Sequence, residues 1–308
     1  MRTEAHERAA REGTAQGRTA RKRTAPATTA QRTPRTVRRE PGSATGRRRL
    51  SDLPGGLLAG GTVVLLLVLW EVGVRGLGVS QILLPAPSRI AEALYQGFAT
   101  GPFLEHTWVT LQEILYGFAI AVVTGLLVAV LVTSSTLAEK IVLPIVVVLQ
   151  TVPKVALAPL LLVWFGFGME SKIVTTALIA FFPVLVNATL GFNATSTDQI
   201  HMMRSFGATR RQILLKLRFP TAVPSIVAGL DVAVVLSVIG AIVAEFVGAQ
   251  AGLGYLIMAS NTSLDVATMF AVLVVLSVIG LVLHYAVVLA GHRLAFWSEA
   301  NRTRATTP

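Results

Sequence analysis

The stretch DQIHMMRSFGATRRQILLKLRFPTAVPSIVAGL, Asp198 to Leu230, decides the fold. It is basic and polar, and long apolar runs flank it on both sides. Runs of that length read as membrane spans. A cationic loop between two spans belongs on the cytoplasmic side. The loop also carries strong local signals. Ser196 with Gln199, and Thr209 with Gln212, each fit an N-terminal capping box. Gly207 falls between them, where a left-handed residue would end a helix. The spacing predicts two short helices. The first puts Ile200, Met203 and Phe206 on one face, and the second puts Ile213, Leu214 and Leu217 on one face before Pro220 stops it. Arg210 and Arg211 start the second helix, where the macrodipole disfavours cations. Such a local cost suggests another partner for the charge, either lipid headgroups or an acidic protein surface. The plain alternative is a helical surface loop that only obeys the charge rule.

Working outward, about six spans are expected. They lie near Leu57–Leu77, Leu111–Val132, Leu137–Phe165, Ile173–Phe192, Ala222–Val247 and Ala267–Ala290. Each is long enough to cross at about 1.5 Å per residue. Charge asymmetry agrees with an even count and both termini inside. Arg47, Arg48 and Arg49 precede the first span, and Arg293, Arg302 and Arg304 follow the last. The opening loop adds Arg204, Arg210, Arg211, Lys216 and Arg218, whereas the opposite loops hold only Arg89 and Lys172. The predicted class is all-α and polytopic.

Composition supports a bilayer. The chain is 53% hydrophobic and 14% charged, whereas soluble domains carry about 25% charge. Its net charge of +11 lies outside the spans, so it marks the cytoplasmic side and does not imply nucleic acid. Residues 1–53 are rich in Arg, Thr, Ala and Pro and are expected to form a disordered basic cytoplasmic tail. A transmembrane domain at 54–297 and a short tail at 298–308 complete the expected organisation. The chain has no cysteine, which removes disulfides and thiolate chemistry.

The third span is irregular. VLPIVVVLQTVPKVALAPLLLVWFGFG, Val142 to Gly168, carries Pro144, Pro153 and Pro159, with Gln150 and Lys154 at mid-depth. A broken helix survives in a membrane only where protein or a water-filled cavity satisfies the freed backbone groups. Ionisable residues inside spans deserve functional weight because charge in hydrocarbon is expensive. Lys154 and Glu245 are candidates for a pathway or gate, with Gln150, Trp164 and Asn187 beside them. A kinked packing helix with Lys154 snorkelling stays open, as does a purely structural contact of Glu245 with Gly248–Gly254. Glu113 and Asp231 are placed near span ends, where interfacial water would solvate them. The run VVLSVIG occurs twice, at Val234–Gly240 and Val274–Gly280, and each copy offers a Ser and a Gly suited to close helix approach.

Four pieces, in order, carry a family resemblance. Beyond the basic loop they are Val152–Gly168, Ser171–Lys172, FFPVLVN at Phe181–Asn187, and EFVGAQAGLGY at Glu245–Tyr255. Together they resemble the nitrate/sulfonate/taurine-type permeases of ABC importers. Within the loop, Gly207 followed by Leu217-Arg218-Phe219-Pro220 is similar to the Glu-Ala-Ala-type coupling loop, although His201, Met202 and Met203 stand where Glu-Ala-Ala is expected. The resemblance implies a type I ABC importer permease fold in a bacterial plasma membrane. It implies partners: a cytoplasmic ABC ATPase dimer, an extracytoplasmic substrate-binding protein, and a second copy of the chain or a paralogous permease. The coupling loop, about 196–219, would then include Ser196, His201, Met203, Arg204, Phe206, Gly207, Thr209, Arg210, Arg211, Lys216 and Pro220. The solute would be sulfonate-, nitrate- or taurine-like, or pyrimidine-, thiamine-precursor- or riboflavin-like.

No Gly-x-x-x-x-Gly-Lys-[Ser/Thr] phosphate loop occurs, so ATP hydrolysis is expected on a separate chain. No cofactor, metal site or catalytic set is predicted. A stand-alone secondary transporter and a polytopic membrane enzyme are the alternatives. Co-purification of an ATPase separates them from an importer subunit.

Overall fold

The computed structural model describes residues 55–294, and every regular element among them is helical. The expected tails at 1–53 and 298–308 lie outside the described residues. Helix α1 (Gly55–Gly76) leads to α2 (Pro87–Ala99) and then α3 (Phe103–Ser134). Next come α4 (Thr136–Thr151), a 3-10 turn (Lys154–Leu157) and α5 (Ala158–Phe165). The long helix α6 (Met169–Asn193) precedes two short ones, α7 (Thr197–Ser205) and α8 (Arg210–Ile213). The chain ends with α9 (Phe219–Gly248), α10 (Leu253–Thr262) and α11 (Val266–Leu294).

Among the described residues, four helical segments are long and apolar enough to cross a bilayer: Phe103–Ser134, Met169–Asn193, Arg210–Gly248 and Val266–Leu294. The pair α4–α5 raises the number to five if its two arms count as one span. The remaining expected span, near Leu57–Leu77, coincides with the 22 residues of α1. Large apolar side chains stay exposed along α1, α3, α4 and α11. Water would not tolerate that pattern, and a bilayer favours it.

The centre of the bundle is α6, packed along α9 and α3. Small residues bring the backbones close. A Cβ on Gly229 would stand 2.7 Å from the Asn187 Cβ and 3.0 Å from the Pro183 carbonyl oxygen. One apolar cluster joins Ala129, Phe182, Leu185, Phe192, Ala222 and Ile226 across α3, α6 and α9. A second joins α2, α10 and α11 through Ile90, Leu256, Ile257, Val272 and Leu276. Glu71 ties α2 to α1, since its carboxylate accepts from the Ser88 N–H (3.0 Å) and hydroxyl (2.8 Å).

Several expectations need correction. Pro220 does not stop the helix after Thr209. That helix continues through a π-helical turn (Leu214–Arg218) into α9 as one 39-residue segment. Proline lacks an N–H and breaks an ordinary α ladder. Here the wider turn shifts the bonding, with Phe219 N–H reaching the Leu214 carbonyl, and Pro220 takes a first-turn position of α9. Pro144 likewise sits inside α4. The third span breaks at Val152–Pro153 instead, and its two arms meet at 81°. The segments around 80–110 and 248–266, read as loops, contain α2 and α10. Of the two VVLSVIG copies, only the first uses its Ser and Gly in close packing: Ser237 is buried on α9, whereas Ser277 of α11 is exposed and a Cβ on Gly280 would meet nothing within 4 Å.

Candidate functional site

The break in the third span shapes a cleft of about 640 Å³. Its walls come from the end of α4, the 3-10 turn, α6 and α9. Gln150 and Lys154 line it together with Asn187, which is distant from them in sequence, and Phe182, Leu236 and Ile239 supply apolar wall. Lys154 is placed by two local attractions. Its Nζ donates to the Gln150 carbonyl (3.0 Å), one of the carbonyls the α4 C-terminus leaves free. It also stands 4.7 Å above the Phe182 ring. Among the described residues no carboxylate forms an ion pair with it. Asn187 donates from Nδ2 to the Pro183 carbonyl (2.9 Å), which leaves its side-chain oxygen free for the cleft. A volume of this size lies in the range of small-molecule sites, roughly 300–1,000 Å³.

Two pathway candidates fall outside this cleft. Trp164 lies on α5 and is 67% exposed, away from the cleft lining. Glu245 is only 2% exposed and faces neighbouring backbone. It accepts from the Thr110 hydroxyl (2.6 Å) and from the N–H groups of Gly254 and Tyr255 at the start of α10. The structural contact with the 248–254 segment is therefore present. Glu113 and Asp231, expected near span ends, lie well inside helices. The physical reason is that α3 begins at Phe103 and the α9 segment at Arg210, so both positions move inward. Glu113 is buried with its carboxyl against that of Glu245, and Asp231 pairs with His284 of α11. Lys172, expected in an outer loop, is buried in the first turn of α6, donating to the carbonyls of Phe167 (2.6 Å) and Gly168 (2.9 Å).

The basic loop forms its two short helices from the caps that the sequence offers. At Thr209 the box closes both ways: Gln212 N–H donates to Thr209 Oγ1 (3.3 Å), and Thr209 N–H donates to Gln212 Oε1 (2.8 Å). At Ser196 only the first half forms, Gln199 N–H to Ser196 Oγ at 3.3 Å. Gly207 adopts φ +76°. Its N–H donates to Arg204 O (2.9 Å), and Ala208 N–H donates to Met203 O (3.0 Å), which together make a Schellman stop. His201, Arg204, Arg210, Arg211 and Lys216 are exposed, and Phe206 is 81% exposed. Ile213 is buried beneath them. The loop thus presents cations and one large aromatic ring outward from a fixed frame.

A helical bundle with apolar outer faces, a broken helix and a largely apolar cleft holding a few polar groups is a multi-pass membrane protein of transport type. The chain belongs to the family described as binding-protein-dependent transport system inner membrane component, whose sequence profile matches residues 121–295. It is 37% identical over 237 residues to the probable ABC transporter permease protein of Haemophilus influenzae, covering 77% of this chain and 95% of that one. It is also 37% identical over 218 residues to the formylaminopyrimidine transport permease protein ThiX of Halalkalibacterium halodurans, covering 71% of this chain and 86% of ThiX. Among solved structures, the inward-facing MetNI methionine ABC transporter matches with a TM-score of 0.56 at 23% identity, over 62% of this chain and 95% of that chain. That likeness is one of fold, the type I ABC importer permease fold. The chain is a membrane-spanning permease subunit of a binding-protein-dependent ABC importer, a transport subunit and not an enzyme.

Proposed function

We propose that the loop at 196–219 is the contact for a cytoplasmic ABC ATPase and that the 640 Å³ cleft is this subunit's share of the solute pathway. One observation carries the reading. The continuous helix from Arg210 to Gly248 bears the exposed cations at its start, and Val232, Leu236 and Ile239 further along it form cleft wall. Arg211 and Val232 are separated by about 32 Å of helix, at 1.5 Å per residue. A push on the loop is thereby delivered to the cleft through one rigid element.

In this reading two copies, or one copy and a paralogous permease, enclose the pathway in a bacterial plasma membrane, with both chain termini cytoplasmic. An ATPase dimer binds below, and an extracytoplasmic protein delivers the solute above. The solute belongs to the small, acceptor-rich compounds that an ammonium, two amides and an aromatic wall can hold. Formylaminopyrimidine, named for the relative ThiX, fits that description. Among the described residues Lys154 has no acidic partner, which also favours a second solute class, small compounds bearing an anionic group such as sulfonates, taurine or nitrate.

The test is purification of the tagged complex from its native membrane with mass identification of its partners. A stoichiometric ATPase, lost when Arg210, Arg211 and Lys216 are all replaced by Glu, is the expected result. A clean preparation without an ATPase, under conditions that keep known complexes intact, overturns the reading in favour of a stand-alone transporter.

A further inference from the structure

The first four N–H groups at the head of α10 have all been claimed by side chains from other helices. Gly252 N–H donates to His106 Nδ1 (2.9 Å), and Leu253 N–H donates to Thr110 Oγ1 (2.7 Å). Gly254 N–H and Tyr255 N–H both donate to Glu245 Oε2. The Thr110 hydroxyl in turn donates to Glu245 Oε1 (2.6 Å), so these two side chains form one connected cap, with His106 beside it on Gly252. His106 and Thr110 belong to α3 and Glu245 to α9. A helix start leaves these donors unsatisfied unless something caps them. Most caps are local in sequence; this one reaches across 135 residues between Thr110 and Glu245.

The fit is tight as well as polar. Gly252 adopts φ +117°, and a Cβ there would fall on the Glu245 carboxyl. A Cβ on Gly254 would stand 2.9 Å from the Glu245 Cβ. Glu113 fills the space behind, 2% exposed, with Oε2 lacking a hydrogen-bond partner among the described residues. Apolar packing could hold two helices together at less expense than buried carboxyls and would favour certain crossing angles, but hydrogen bonds tie the α10 start to particular atoms of α3 and α9.

On its other side α10 belongs to a different part of the bundle. Leu253, Leu256 and Ile257 join the apolar cluster with Ile90 of α2 and Val272 and Leu276 of α11. The short helix is therefore a keystone, polar toward α3 and α9, apolar toward α2 and α11. Glu245 stands at the far end of the same continuous helix that begins with Arg210 in the basic loop.

We propose that Glu245 is a positioning residue of the transport cycle: with Thr110 it locks α10 to the end of α9, so that tilting of the Arg210–Gly248 helix carries α10 with it and gates the bundle at the end opposite the basic loop. Glu245 touches no solute; it acts through α10. The proposal rests on the reading of 196–219 as the ATPase contact, because that contact is what moves the helix.

The chain has no cysteine, so a single reporter suffices. Met258 of α10 is 43% exposed, and Met258→Cys places a thiol on the moving element. The complex is purified from its native membrane, and labelling by a membrane-impermeant maleimide is timed without nucleotide and with ATP plus vanadate. The expected result is a rate difference of about tenfold between the two states, the scale of an ordinary coupling between sites. Glu245→Ala and Thr110→Val are expected to abolish the difference. Thr110→Ser keeps the capping hydroxyl, and Glu245→Gln keeps one oxygen for the Gly254 and Tyr255 N–H groups while its amide N–H can donate to Thr110 Oγ1, so both are expected to preserve it. A general packing role would not separate Val from Ser in this way. An equal rate in both states, with the ATPase present in the complex, overturns the gate and leaves the ATPase contact standing. A difference that survives in both Glu245→Ala and Thr110→Val overturns the role of the cap. If Glu245→Ala does not fold, Thr110→Val and the unsubstituted reporter still decide. If no ATPase is present, the contact reading fails; the same reporter is then timed with and without formylaminopyrimidine and taurine, and unchanged labelling overturns the gate on its own.

Discussion

Arg218 donates from Nη1 to the carbonyl oxygen of Thr133 at 2.8 Å. Thr133 is in the last turn of α3, where carbonyls have no partner in their own helix, and Arg218 closes the π-helical turn that joins α8 to α9. One guanidinium thus fastens the basic loop to a core helix of the bundle. Arg218→Ala removes a charge-assisted bond and strands a nearly buried carbonyl. The expected loss is about 1.5–3 kcal/mol, read as a lowered thermal midpoint of the detergent-solubilised chain. Arg218→Lys recovers part of it, because an ammonium reaches one carbonyl without the planar fork. An unchanged midpoint in Arg218→Ala would show that the bond does not hold the loop.

Gly207 has open space around it: no atom lies within 4 Å of a Cβ built there. Its requirement is purely the positive φ of the turn. Gly207→Val therefore carries a backbone cost of about 1–2 kcal/mol, concentrated where α7 gives way to α8. Gly207→Asn, which tolerates the left-handed region, is expected to keep transport. In the reconstituted complex the Val variant should hydrolyse ATP with little uptake. Normal uptake per ATP in that variant would remove Gly207 from any coupling role.

Lys154 contributes the cation of the cleft. Lys154→Met keeps length and apolar stem but removes the charge. If the solute accepts a hydrogen bond from the ammonium, uptake by membrane vesicles should need at least about tenfold more solute for half-maximal rate. Testing formylaminopyrimidine, taurine and nitrate side by side assigns the class, because the substitution should weaken uptake of the true solute. Equal half-saturation in wild type and variant for a transported solute would take Lys154 off its route.

The sequence carries some of this architecture openly and hides the rest. Long apolar runs locate most of the long helices because nothing else accommodates such surface. Ser196, Thr209, Gln212 and Gly207 predict the short helices because their partners lie three or four residues away. Pro153 marks the break that brings Gln150 and Lys154 into a cleft, but only the fold adds Asn187. Half of the cap on α10 has a local signal, since Glu245 precedes the Gly248–Gly254 segment by a few residues, but the contribution of His106 and Thr110 from α3 arises only through tertiary packing. The fusion of α8 with α9 is hidden for another reason. Proline normally ends a helix, and the compensating π turn at Leu214–Arg218 depends on geometry that residue types do not encode.

The repeated run VVLSVIG separates residue type from environment most cleanly. Gly240 on α9 faces α6 so closely that a Cβ would stand 3.0 Å from the Cα of Thr176, and Ser237 three residues earlier is fully buried. Gly280 on α11 has the same neighbours in sequence, and a Cβ there meets nothing. Gly240→Val is an overpacking change against backbone, which cannot retreat as a flexible side chain would. It should cost about 1–3 kcal/mol and lower the thermal midpoint in detergent. Gly280→Val introduces no clash, and its effect should stay within about 0.5 kcal/mol. If the two substitutions destabilise equally, then close packing at Gly240 is not what holds α6 against α9. A larger effect at Gly280 would mean that the exposed face of α11 is packed against another chain, a result that dilution of the complex would then reveal as a concentration-dependent midpoint.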